Sequence, residues 1–303
     1  MTTHSEVHFP SQGERCAAWL YLPPGGRPAP IIVMAHGLGG VRQMRLDAYA
    51  KRFQAAGYAC LVFDYRHFGG SEGMPRQLLD VRKQQADWRA AVEFARGLAQ
   101  VDGRRVVVWG TSFGGGHAVH TGATVEGVSA VIAQCLFTDG LASGLAMNPI
   151  TSLRVLPLAI ADQLLAWAGA KPIMVNTSGA PCSAALMTAR DCLGGYLKLV
   201  PSGLSFPNYV AARAALQIMA YRPGKLARQL RCPALFCVCE HDTVAPTRST
   251  LRHVRKAPRG EVKLYREGHF DVYVGQGFEK VVADQINFLR RHVPTPSAKE
   301  STS

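Results

Sequence analysis

The sequence predicts an α/β fold: a mostly parallel, doubly wound sheet with a helical lid inserted between two strands. Three observations carry this. Short Val- and Ile-rich runs alternate with helical apolar patterns over residues 1–136 and again over 231–293. Such alternation builds a parallel sheet covered on both faces. Between those two parts, over 137–230, strand signals stop and helical patterns broken by Pro and Gly take their place. Finally, the run VVVWGTSFGGG (106–116) passes from a strand through a glycine-fenced serine into a helix.

The elements follow in order. Residues 7–9 and 16–22 read as a strand pair around the turn signal SQGER, and 23–30 (PPGGRPAP) as a loop. The apolar run 31–35 is a short strand ending at His36-Gly37-Leu38-Gly39-Gly40. Helical periodicity over 46–56 closes at Gly57. Strand 58–63 enters a glycine-rich loop, DYRHFGGSEGMPR (64–76), and an amphipathic helix covers 78–98. Strand 105–109 leads to Ser112, a helix begins at 113, and strand 128–134 ends the first part. In the lid, LPLAIADQLLAWAGA, ALMTARDCL and YVAARAALQIMAY read as helices. Strand 234–238, helix 247–254, strand 262–265 and helix 278–293 complete the core. The polar end PTPSAKESTS (294–303) is expected to be a disordered tail.

Composition narrows the function classes. With 303 residues, 48% of them apolar, the chain can bury a large core as one domain carrying an insertion. The net charge of +13 favours anionic partners. Its densest basic stretches, RPGKLARQLR (222–231) and RSTLRHVRKAPR (248–259), lack interleaved aromatics and any nucleic-acid motif, so a solvated basic face is expected and nucleic acid is not. An acidic acyl carrier protein is the further candidate partner that this charge suits, and a homodimer is a candidate assembly. The start MTTHSEVHFP has no basic region followed by an apolar run, and no apolar stretch reaches the ~20 residues of a membrane span. The expectation is a soluble cytoplasmic protein with no membrane partner. The eight cysteines read as reduced core residues. Cys237-Val-Cys239 has no second ligand pair at zinc spacing, so no metal is expected.

In a doubly wound sheet, chemistry sits beyond the carboxyl ends of the strands. Gly110-Thr111-Ser112-Phe113-Gly114 fits G-x-S-x-G at such an end. The sharp turn strains the backbone at the serine and leaves no room for side chains at 110 and 114. It lifts the hydroxyl clear of the sheet and aims a helix N-terminus at whatever that hydroxyl attacks. A serine hydroxyl near pH 7 needs a base, and the base needs an orienting acid. The expected order is Ser, acid, His. Asp242 follows strand 234–238 and His269 follows strand 262–265, both on the edge that carries Ser112.

Other residues compete for these roles. His241 is an alternative base, Asp271 and Asp139 are alternative acids, and His117 and His120 read as helix residues. The oxyanion requires N–H donors: Phe113, after the nucleophile, and Leu38, whose flanking glycines let its backbone approach a substrate. His36 reads as a brace for that loop.

These residues resemble the α/β-hydrolase fold superfamily over about residues 5–293. The marks are His36-Gly37-Leu38-Gly39-Gly40, the loop from Asp64 to Gly73, Gly110-Thr111-Ser112-Phe113-Gly114, Asp242 and His269. The loop is similar to the superfamily's D-x-R-G-x-G-x-S-x-G, with His67 where glycine is usual. Within the superfamily the chain is most similar to the Xaa-Pro dipeptidyl-peptidase-like and acetylxylan-esterase-like subgroup, which includes some polyketide acyltransferases. The resemblance implies serine hydrolase chemistry without a cofactor. The substrate expected is a small-molecule carboxylic ester with a medium-sized apolar part, since the lid is rich in Leu, Ala, Ile and Met. A thioesterase or acyltransferase acting on carrier-bound acyl groups is the alternative.

Overall fold

The computed structural model describes residues 4–26 and 28–295. The first part of the chain supplies six strands: β1 (His4–Ser11), β2 (Glu14–Tyr21), β3 (Ala29–Ala35), β4 (Ala59–Phe63), β5 (Val101–Thr111) and β6 (Val128–Gln134). The insertion carries β7 (Met174–Ser178), β8 (Ala185–Met187) and β9 (Tyr209–Ala211). After it come β10 (Ala234–Cys239) and β11 (Gly260–Tyr265). The main sheet has eight strands in the order β1-β2-β4-β3-β5-β6-β10-β11. Strand β2 runs antiparallel to both β1 and β4, and the pairs from β4 to β11 are parallel. Every residue of β3, β4 and β10 is buried, which is why these strands read as unbroken apolar runs.

Helices α1 (Leu46–Ala55), α2 (Val81–Arg96), α3 (Phe113–Thr124), α8 (Thr247–Val254) and α9 (Gly275–His292) belong to the sheet layers. Helices α4 (Gly140–Ala146), α5 (Pro149–Trp167), α6 (Cys192–Leu197) and α7 (Ala214–Ala220) belong to the insertion. Asp80 opens α2, its carboxylate accepting the Lys83 N–H. The α2 face formed by Val81, Gln84, Trp88, Ala91, Val92 and Ala95 is buried, with the spacing of an amphipathic helix.

Three features differ from the sequence expectations. Strand β5 starts at Val101, four residues early, because Val101 and Asp102 pair with Ala29 and Pro30 of β3 before the register shifts past residues 103–105 and pairing resumes at Val106. The insertion is not wholly helical. Strands β8, β7 and β9 form a small sheet, and ALMTARDCL and YVAARAALQIMAY each begin as strand. Segments of three to five residues are too short to show a period, and pairing across the insertion decides them. Third, the expectation that no apolar stretch reaches the length of a membrane span needs correcting. Among the described residues one helix, α5, is long and apolar enough to cross a membrane by length and composition. Its Pro157 and its single buried carboxylate, Asp162, hid that length in the sequence. Residues 296–303 of the expected tail lie outside the described residues, while the Pro294 carbonyl accepts a hydrogen bond from Arg105.

The glycine-rich loop after β4 is held by buried ions. Arg66 donates to Asp87 at 2.5 Å, with side chains 1% and 0% exposed, and Ser11 Oγ donates to the same carboxylate at 2.7 Å. Removing one partner of such a pair leaves the other charge buried alone. Asp87→Ala is therefore expected to lower unfolding free energy by about 3–5 kcal/mol, read from urea unfolding midpoints. A loss below about 1 kcal/mol would show that the pair is solvated in the native state.

Candidate active site

Ser112 sits on the turn between β5 and α3 with φ +55° and ψ −120°, a conformation that L-residues avoid. The flanking glycines make it feasible. A Cβ on Gly110 would lie 2.0 Å from the Gly114 carbonyl oxygen, and one on Gly114 would lie 2.3 Å from the His36 carbonyl oxygen. The Ser112 N–H is tied to the Gln134 carbonyl of β6 at 2.9 Å, so the strained residue is pinned from the neighbouring strand.

The parallel strands bring three distant residues to one edge. Ser112 Oγ lies 3.0 Å from His269 Nε2. His269 Nδ1 lies 2.8 Å and 2.9 Å from the two oxygens of Asp242. The His269 and Asp242 side chains are 2% and 3% exposed. The Val244 and Ala245 N–H groups donate to Asp242 Oδ1 at 2.8 Å and 2.6 Å, which fixes the carboxylate behind the imidazole.

The loop after β3 crosses this group. A Cβ on Gly37 would come 2.7 Å from Ser112 Cβ, so only glycine lets the loop approach so closely. The Gly40 N–H donates to the Gly37 carbonyl, which orients the peptide carrying the Leu38 N–H. His36 braces the loop from beneath. Its Nδ1 accepts the Gly37 N–H at 2.7 Å, and its Nε2 donates to the Met44 carbonyl at 3.0 Å. Burial pushes the His36 pKa down to about 4, so the ring is neutral and holds this one tautomer. Leu38, Ser112 and Phe113 all line one cavity of about 590 Å³.

The competing residues are engaged elsewhere. Asp139 accepts from Arg222 at 2.7 Å and caps α4 through the Leu141 and Ala142 N–H groups. Asp271 accepts the Gly268 N–H at 2.9 Å. His241 is exposed. His117 is buried between Gln84 and Tyr221, and burial holds its pKa down to about 3. The two thiols beside the site, Cys135 and Cys192, are each pushed up to about 12 by burial and are not thiolates at neutral pH. His67, in the glycine position of its loop, adopts φ +72° and lies buried.

Helix α6 of the insertion and the residue before it reach the loops after β3, β10 and β11, and the sequence carries no motif for this. The Tyr196 hydroxyl donates to the Leu38 carbonyl at 2.8 Å. Gly195 lies so close to Phe270 that a Cβ would meet its ring at 2.4 Å. Asp191, just before the helix, accepts from Thr243, the neighbour of Asp242, at 2.8 Å. Tyr196 thus orients the peptide next to the Leu38 N–H. Tyr196→Phe is expected to lower kcat roughly 2- to 10-fold, the size of one neutral hydrogen bond, with KM unchanged. An unchanged kcat in steady-state ester hydrolysis would remove Tyr196 from the account.

A serine on a strained strand-to-helix turn, at the carboxyl edge of this sheet and in contact with a histidine that an aspartate holds from behind, fits the α/β hydrolase class. Residues 32–284 match the alpha/beta hydrolase family, and the chain belongs to it. It is 54% identical over 289 residues to the quorum-quenching protein AidA of Acinetobacter baumannii (strain MDR-ZJ06), covering 95% of each chain. It is 26% identical over 297 residues to the polyketide transferase grgF of Penicillium sp., covering 95% of this chain and 97% of that one. The crystal structure of the alpha/beta hydrolase GrgF from Penicillium sp. sh18 superposes with a TM-score of 0.82 at 24% identity, over 96% of this chain and 99% of that chain.

Proposed function

We propose that the protein is a serine hydrolase that cleaves carboxylic esters with a medium-sized apolar acyl or alcohol part. One observation carries the reading: the chain of hydrogen bonds from Asp242 through His269 to Ser112 Oγ opens into an apolar cavity. In this reading His269 Nε2 takes the Ser112 proton as Oγ attacks the ester carbonyl carbon. The oxyanion is held by the Leu38 and Phe113 N–H groups. His269 then gives its proton to the leaving alcohol, and the acyl group stays on Ser112. Water enters, His269 takes one of its protons, and the hydroxide oxygen attacks the acyl carbon. Collapse expels Ser112 Oγ, which recovers the proton, and the acid leaves. Asp242 holds the Nδ1–H tautomer and stabilises the imidazolium throughout.

The cavity wall suggests the substrate. Phe137, Met147, Val155, Leu186, Ile218 and Met219 present hydrocarbon, and Arg190 stands among the lining residues. Such a wall suits an acyl chain or an aromatic ester. The name of the Acinetobacter relative speaks of quorum quenching. Carried to this chain, it points to a diffusible signal with an ester or lactone bond and an apolar chain.

A second reading is favoured by the polyketide transferase relative and the net charge of +13. Here the acyl group arrives as a thioester on an acidic carrier protein, and water or another nucleophile takes it from Ser112. Nitrophenyl esters and acyl lactones of increasing chain length, run beside carrier-bound thioesters, separate the two. Steady turnover of free esters with an optimum at medium length supports the hydrolase. A burst without turnover on esters, with salt-sensitive activity on carrier-bound acyl groups, supports the transferase.

A further inference from the structure

Helix α5 is amphipathic the wrong way round. Its buried positions are Thr151, Val155, Ala159 and Asp162, a narrow stripe of small or polar residues. Opposite stand Ile150, Leu153, Pro157, Ile160, Leu164 and Trp167. Leu153 and Trp167 are each 76% exposed, Leu164 56%, Ile150 50% and Ile160 47%. A surface helix ordinarily places such residues against the core and polar ones outside. Their spacing of three, four, three, four and three is the seam along which two helices pack at a shallow angle.

We propose that this seam is the interface of a two-fold homodimer, with α5 of one protomer antiparallel to α5 of its partner. The register is self-complementary, as a two-fold interface requires. With the axis between Pro157 and Ile160, Ile150 lies opposite the partner's Trp167, Leu153 opposite the partner's Leu164, and Pro157 opposite the partner's Ile160. Arg154 then faces the partner's Gln163, so no like charges meet across the seam. The area is also sufficient. The seam residues expose apolar surface on the order of 600 Å² per protomer, the lower end of what a specific interface buries on each side.

A second copy suits this face better than a lipid surface does. Helices that lie on membranes carry Lys and Arg beside the apolar stripe. In α5 the charged residues are Arg154, whose guanidinium donates to the Cys182 carbonyl at 2.7 Å, and Asp162. Asp162 accepts the Ile173 and Arg213 N–H groups, each at 2.8 Å, and lies 3.2 Å from the Arg213 guanidinium, so the helix is fastened along its inner face. Val155 of that inner face lines the cavity, so pairing of α5 would also steady one wall of the site.

Sedimentation velocity and light scattering across micromolar concentrations test this. The wild-type protein is expected at twice the chain mass of 32.8 kDa. Leu153→Glu and Leu164→Glu, neither of which lines the cavity, are each expected to raise the dissociation constant roughly 100-fold or more, with circular dichroism unchanged. Leu153→Cys combined with Leu164→Cys is expected to cross-link on oxidation, and Leu153→Cys alone is not. A wild-type monomer at every concentration overturns the proposal. So does a monomer that floats with phosphatidylcholine–phosphatidylglycerol vesicles, which would give the face to lipid. A dimer that survives both Glu variants places the interface elsewhere, and efficient cross-linking of Leu153→Cys alone makes the pairing parallel. None of these outcomes depends on Ser112 chemistry.

Discussion

Ser112→Ala is expected to lower ester turnover by roughly 10⁴-fold or more, the size of nucleophile losses in serine hydrolases generally. Neither the nearby thiols nor the adjacent threonine replaces it. Cys135 and Cys192 stay protonated, and Thr111 Oγ1 is engaged at 2.5 Å with the Tyr273 hydroxyl. Alanine removes the proposed attacking atom and leaves the Leu38 and Phe113 N–H groups and the apolar cavity in place. Ester binding therefore persists, and the loss falls on kcat rather than KM. Steady-state kinetics on nitrophenyl esters reads this directly. A variant within tenfold of wild type would mean that the chemistry runs elsewhere.

Asp242→Asn is expected to cost about 10⁴-fold in kcat with little change in fold, because it forces the wrong histidine tautomer. The Val244 and Ala245 N–H groups both point at Oδ1, so an asparagine keeps its carbonyl there. Its amide nitrogen then takes the Oδ2 place, 2.8 Å from His269 Nδ1 against 2.9 Å for the carbonyl already occupied by two N–H donors, and donates to it. Nδ1 must carry the lone pair, and the ring proton moves to Nε2, which stands 3.0 Å from Ser112 Oγ. A protonated Nε2 cannot accept the serine proton. Nitrophenyl ester kinetics paired with unfolding midpoints checks the claim. A loss below about 100-fold would mean that Asp242 only packs against the ring.

Much of this arrangement was legible in the sequence because it depends on strand ends. Ser112, Asp242 and His269 each follow an apolar run, and in a parallel sheet successive runs of that kind end on the same edge. The glycines at 37, 110 and 114 were legible for the same reason, since close backbone approach admits no side chain. The contribution of the insertion was not. Strands β7 to β9 are three to five residues long and owe their form to pairing with one another. Tyr196 sits in CLGGYL, where nothing in composition or spacing announces a hydrogen bond to a loop 158 residues away. The outward stripe of α5 was hidden for a different reason. Ile150, Leu153, Ile160 and Leu164 have the period of a core helix, and periodicity gives the width of an apolar face without saying what covers it. Only the exposure of those residues separates an inner face from an outer one.

In the proposed reaction Ser112 is a nucleophile activated by His269. Reaction with a fluorophosphonate, followed by peptide mapping by mass spectrometry, tests it most directly. One phosphonyl group per chain is expected on Ser112 in the wild-type protein, with none on Ser112→Ala and slow labelling of His269→Ala. No adduct on folded wild-type protein, or an adduct on another residue, would contradict it.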